Sequence, residues 1–203
     1  MNPREINFFN QPKLERILYL HKRGFNTPLF IAKIDSIKRL AVFQKDNMKK
    51  RFSIRTQSRN PIQTNCPHFP NVTVDKKLLQ KLSTTIRKKF ELLVFEAIDP
   101  SEAEMKGNLM IDKVNKMVTI EYSEGPGTVR SLETDVIPSL IKRVETSFDH
   151  FLLMEVNKTN FMGHQPSEFL DFPFENFILE FSAYSHPVGI KNSKYIFWEI
   201  RNG

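Results

Sequence analysis

The order of hydrophobic patterns predicts an α+β protein in two lobes, with mostly antiparallel sheets. Three observations carry that expectation. Residues 12–98 alternate helical and strand patterns. The remainder is dominated by strand patterns joined at Gly, Pro and Asn turns. Charge is also unevenly divided: residues 1–90 hold 20 Lys/Arg against 5 Asp/Glu, and residues 91–203 hold 10 against 18. The 203 residues therefore read as one unit with a basic N-terminal lobe, 1–90, and an acidic C-terminal lobe, 91–203.

Each element has a local reason. Residues 12–23 predict a helix, with Leu14, Ile17, Leu18 and Tyr19 at helical spacing, Pro12 in the first turn and Gly24 as the stop. Residues 29–34 read as a strand after Thr27-Pro28. Asp35 or Ser36 caps a helix to about Gln44. Residues 50–56 alternate, with Phe52 and Ile54 on one side and Arg51, Ser53 and Arg55 on the other. Three prolines and many polar residues mark 57–74 as a loop. Asp75 opens a helix to about Phe90, striped by Leu78, Leu79, Leu82 and Ile86. Residues 92–98 form a buried strand. A meander over 107–131 follows, with turns at Lys113–Asn115 and at Gly125-Pro126-Gly127. Residues 135–147 read as a helix with Ile137, Leu140, Ile141 and Val144 inward. Residues 151–156 fit a strand or a helix end, and 157–173 a polar loop. The chain closes with a hairpin of 177–184 and 194–201.

Composition removes several function classes. Apolar residues make 40% and charged residues 26%, which is ordinary for a globular protein and excludes a largely disordered chain. No run of 18 apolar residues is present. The first 16 residues lack the apolar centre of a secretory signal, and Cys66 is the single cysteine, so a cytoplasmic location is expected. Seven glycines against 18 phenylalanines disfavour a glycine-rich phosphate loop. The five histidines show no metal-site spacing, no G-x-S-x-G occurs, and nothing around Cys66 marks it as a nucleophile.

The closing hairpin holds the most suggestive residues. Glu199 and Arg201 lie on one face of the last strand, opposite Ile196, Trp198 and Ile200. Glu180 lies on the preceding strand, opposite Phe177, Leu179 and Phe181. If the strands pair, Glu180 and Glu199 approach one another. Two carboxylates sharing a site need a cation or proton between them, and Mg²⁺ with phosphate oxygens supplies one. Two solvated carboxylates on a half-buried sheet fit the same pattern. Arg55, uncompensated by nearby acids, suits an anion, or else an exposed strand face. Glu96 interrupts an apolar run, as a strand-edge residue or as a polar handle in a pocket.

Taken in order, five segments resemble the ATP-grasp nucleotide-binding domain of the phosphoenolpyruvate synthase and pyruvate phosphate dikinase type. Lys13, Ile17 and Leu20 have the spacing of its lysine-led helix, followed by Gly24 and Thr27-Pro28-Leu29-Phe30. Ser53-Ile54-Arg55-Thr56 falls where the family has Val-Arg-Ser-Ser. Glu121 to Arg130, with Gly125-Pro126-Gly127, matches its Gly-rich inter-strand turn. Leu179-Glu180-Phe181 and Trp198-Glu199-Ile200-Arg201 match its closing Ile-Glu-Trp and Leu-Gln-x-Arg strands. The departures are Gln11-Pro12 for two glycines, Thr56-Gln57 for the double serine and Glu199 for glutamine. The chain is also much shorter than the family domain, and it lacks the phosphohistidine domain, so the full dikinase reaction is not expected.

The resemblance implies a two-lobed ATP-grasp-like fold with Mg²⁺ and ATP as cofactors. Lys13 and Arg55 would contact ATP phosphates, with Arg130 a further phosphate ligand. Glu96 would lie near the adenine, Glu180 and Glu199 would hold Mg²⁺, and Arg201 would meet the terminal phosphate. Arg55 and Arg201 would thus be the catalytic cations. The implied reaction is phosphoryl transfer or ATP-dependent ligation onto an unidentified acceptor, by positioning and charge neutralisation. Two other readings compete. One is a nucleic-acid-binding protein, from the basic stretch 45–59 and the basic face of helix 75–90; only Phe52 and Phe90 offer stacking there. The other is a degenerate, non-catalytic ATP-grasp partner module, with Tyr184 and Tyr195 as interface candidates.

Overall fold

The computed structural model describes residues 7–59, 66–124, 141–156 and 161–203. Two compact units emerge: Pro28–Pro100, and Met1–Thr27 together with Ser101–Gly203. The first holds 15 Lys/Arg against 6 Asp/Glu, and the second 15 against 17.

The 28–100 unit is a four-stranded antiparallel sheet with two helices on one face. Its strands are β1 (Phe30–Ile34), β2 (Arg51–Ser58), β3 (His68–Thr73) and β4 (Phe90–Glu96), in the order β1-β4-β2-β3. The helices are α2 (Ile37–Asn47) and α3 (Lys76–Arg87). Ser36 caps α2, its hydroxyl accepting from the Arg39 N–H. Asp75 caps α3, its carboxylate accepting from the Leu78 N–H at 2.7 Å. The predicted stripe Leu78, Leu79, Leu82 and Ile86 is buried against Ile34, Phe52, Ile54, Leu92 and Val94. The predicted 57–74 loop is corrected at both ends: β2 runs on to Ser58, and β3 occupies 68–73. Pro70 and Asn71, whose φ is +47°, sit at a bulge opposite β2, which hides the strand's alternation.

The second unit starts with helix α1 (Lys13–Lys22), which buries Leu14, Ile17 and Leu20 and stops at Gly24, where φ is +88°. It continues with β5 (Ala103–Asp112), β6 (Met117–Glu124), β7 (Lys142–Ser147), α4 (Phe148–Val156), α5 (Pro166–Leu170), β8 (Asn176–Val188) and β9 (Ser193–Asn202). The sheet order is β7-β6-β5-β8-β9, antiparallel throughout. At the β5–β6 turn the Asn115 backbone N–H and side-chain amide both donate to Asp112, holding its carboxyl below the usual carboxylate range. One face packs on Leu20, Phe25, Phe151, Phe169 and Phe172, with Phe25 edge-on to Phe197 at 5.0 Å.

Three further expectations change here. Residues 142–147 form β7, not the end of a helix, and Val144 is exposed. At Val144 the helical spacing is overridden by pairing with β6. Residues 151–156 belong to α4, and the polar 157–173 segment contains α5. Tyr184 is buried, so it is no surface aromatic. The turn at Gly125–Gly127, the expected strand to residue 131, the first part of the 135–147 helix and Arg130 lie outside the described residues.

Candidate functional site

Side chains alternate across a strand, so register places every group on the sheet. In the second unit Arg143 pairs with Glu121, Glu121 with Asn108, Asn108 with Glu180, and Glu180 with Glu199. These five residues form one row across all five strands. The adjacent positions Leu109, Leu179 and Ile200 face the aromatic core, so the polar row lies on the opposite face. Arg201 sits one row along, opposite Ile178, and its guanidinium donates to Asn108 Oδ1 at 3.5 Å.

The charges in this row are arranged from its ends inward. At one end Arg143 donates to Glu121 at 3.1 Å. At the other, α1 supplies two cations to Glu199: Lys13 Nζ lies 2.5 Å from Oε2, and an Arg16 guanidinium nitrogen lies 2.7 Å from Oε1. Lys13 and Arg16 are three apart on a helix and so share a face. Glu199 is only 8% exposed and Asn108 3%, so both need such partners. The Glu180 side chain, between Asn108 and Glu199, makes no hydrogen bond or ion pair among the described residues.

Four sequence candidates, Lys13, Glu180, Glu199 and Arg201, are thus brought onto one sheet face of this unit. Arg16, Asn108 and Glu121 join them unforeseen. Arg16 was legible as the residue one helical turn after Lys13; Asn108 and Glu121 needed the strand register. One further correction concerns the faces of β9. Trp198 occupies a bulge, since Glu199 pairs with Glu180 but Phe197 pairs with Phe181. Phe197 therefore joins the core, and the Trp198 indole N–H donates to Ser182 Oγ at 2.9 Å, on the Glu180 side.

The other candidates lie in the 28–100 unit. Arg55 is half-buried on β2, between Leu93 of β4 and His68 of β3. Two positions along, Gln57 donates to Glu91, which also pairs with Lys33 at 2.7 Å. Glu96 ends β4, and its Oε1 accepts from the Leu29 backbone N–H at 2.7 Å while its own N–H donates to the Leu29 carbonyl.

Glu180 and Glu199 place carboxylate oxygens, the hard donors Mg²⁺ takes, side by side, but both Glu199 oxygens are held by Lys13 and Arg16 and Asn108 Oδ1 by Arg201. No cluster of three or more His, Cys, Asp or Glu among the described residues could hold a metal. An ion here would therefore rest on one or two carboxylates, with water and substrate oxygens completing its shell.

The two units and their antiparallel sheets define an α+β, ATP-grasp-like fold. No family model matches the chain, and no curated protein matches it. Among solved structures it is similar to the macrocyclase MdnC bound with precursor peptide MdnA from Microcystis aeruginosa MRC. The TM-score is 0.54 at 11% identity, over 98% of this chain and 55% of that one. It is similar to D-cycloserine synthetase DcsG, with TM-score 0.51 and 8% identity over 97% and 63%. D-alanyl-alanine synthetase A from Vibrio cholerae O1 biovar eltor str. N16961 gives TM-score 0.50 and 11% identity over 97% and 56%. The chain thus spans between half and two thirds of the length of these proteins. Among the described residues no helix is long and apolar enough to cross a membrane.

Proposed function

We propose that this protein binds ATP on the Glu180–Glu199 face and uses it in ligation, activating the carboxylate of an acceptor for attack by an amine or thiol. The observation that carries the reading is the convergence of Lys13, Glu180, Glu199 and Arg201 on one sheet face, in a fold shared with synthetases and a macrocyclase. In the proposed step the terminal phosphoryl group passes to the carboxylate oxygen, leaving ADP and an acyl phosphate. The incoming nucleophile then displaces phosphate and loses a proton.

The residues act through charge. Lys13 is a point charge for the phosphates once it leaves Glu199, and Arg201 is a fork for the terminal phosphate. Glu180 and Glu199 would hold Mg²⁺, which supplies neutralisation of phosphate charge when bound. The phosphate roles of Arg55 and Arg130 and the adenine role of Glu96 stay part of the proposal, as does placement beside the phosphoenolpyruvate synthase and pyruvate phosphate dikinase type. Five short segments in the family's order support that placement. The lone cysteine supports a cytoplasmic location.

Calorimetric titration of the full chain with ATP, with and without Mg²⁺, tests the reading. Micromolar binding that needs Mg²⁺ is expected. Glu180→Gln should weaken it at least tenfold without lowering the unfolding temperature, because the Glu180 side chain has no partner among the described residues to lose. A folded wild type that binds no ATP would overturn the proposal and favour a non-catalytic partner module.

A further inference from the structure

We infer that a hollow at the far end of α1 is a phosphate-binding site separate from the Glu180–Glu199 face. The cavity has a volume of about 350 Å³ and lies wholly within the second unit. Its polar groups come from separate segments: Arg23 just past α1, His164 before α5, Lys191 in the β8–β9 turn and Ser193 at the start of β9.

The walls are built and fixed. The His164 ring stacks on Phe25, with centroids 4.2 Å apart and planes 17° from parallel. Its Nδ1 lies 2.5 Å from a Glu168 oxygen, which leaves Nε2 as the nitrogen open to a ligand. The Asn26 amide holds the turn, donating to the carbonyls of Val188 and Tyr195 and accepting from the Lys191 N–H, at 2.7–2.8 Å. Asn26 is buried, so this frame does not rearrange with solvent. Two glycines with positive φ open the space. A Cβ on Gly24 would lie 3.4 Å from Lys191 Nζ, and one on Gly163 would lie 3.4 Å from Ser193 Oγ.

The donors are only partly spent. The Lys191 ammonium makes no hydrogen bond or ion pair among the described residues. Arg23 lies 4.7 Å over the Phe172 ring and hydrogen-bonds the Tyr19 hydroxyl, which leaves its remaining N–H groups for an anion. Glu168 is the single carboxylate in the lining, and it is engaged by His164, so the hollow is cationic on balance. Donors converging from separate directions suit a tetrahedral oxyanion; a planar carboxylate is met by one fork. The ligand class is inorganic phosphate or a small phosphate monoester.

The test is titration of the full chain with inorganic phosphate, followed by the ring signals of His164 in NMR spectra. Those signals report this hollow and not the β8–β9 face. Phosphate should shift them saturably, and Lys191→Met should weaken the effect about tenfold while Lys13→Met leaves it unchanged. Lys191 is exposed and unpaired, so its replacement does not disturb folding. Unmoved ring signals, an identical titration in Lys191→Met, or equal binding of acetate would each overturn the assignment.

Discussion

Glu199→Ala is expected to lower the stability of the protein by about 3 kcal/mol. The carboxylate is 8% exposed and takes Lys13 on one oxygen and Arg16 on the other. Truncation leaves two cations facing each other near a sheet, with only Glu180 across the strand pair to screen them. Removing one member of a desolvated ionic group is the costly kind of change, because the penalty of burying the remainder stays. Glu180→Ala supplies the contrast. It lies directly across the strand pair, yet it loses no partner, so its effect should stay within about 0.5 kcal/mol. Urea unfolding of both variants reads the difference. Equal stabilities would show that Lys13 and Arg16 are solvated in solution and that Glu199 is open to other ligands.

Gly107→Ala should destabilise by a similar amount, about 3 kcal/mol. In an ordinary strand position alanine would be the better residue, because glycine loses more backbone freedom on folding. Here a Cβ would lie 2.2 Å from the Glu121 carbonyl oxygen, 2.8 Å from Tyr122 Cβ and 3.0 Å from Phe181 Cζ. The first two belong to β6, which pairs with β5 along its whole length, and Phe181 is locked in the aromatic core. Nothing can yield without breaking register beside Asn108 and Glu121. Thermal unfolding checks this, and a variant as stable as the wild type would mean the β5–β6 pair is looser than its register implies.

Much of this architecture was legible because its signals are local. α3 announces itself through Asp75 and a four-residue apolar stripe, and β8–β9 through alternation. The pairing of Glu180 with Glu199 followed from that hairpin alone. What escaped notice depends on partners distant in sequence. Glu121 and Asn108 join the polar row only because β5 lies between β6 and β8. The bulge at Trp198 shifts Phe197 into the core, and no neighbour of Trp198 in sequence signals it. β7 reads as the end of a helix because Val144 falls at helical spacing from Leu140 and Ile141, while its strand identity comes from β6. Arg16 was readable one turn beyond Lys13, yet its role required knowing where β9 ends beside α1.

The outer strands β3 and β7, one margin of each sheet, bear on behaviour in concentrated solution. Each sheet could in principle be extended by another chain along such a margin. β3 carries Pro70, which has no N–H to offer, and Asn71 with φ of +47°, which kinks the strand at its bulge. β7 presents Lys142, Arg143 and Glu145 in succession, with Val144 between them, and its ion pairs run to Glu121 and Glu124 within its own sheet. Strand-by-strand growth into fibrils is therefore disfavoured at these two margins, by geometry at one and by charge at the other.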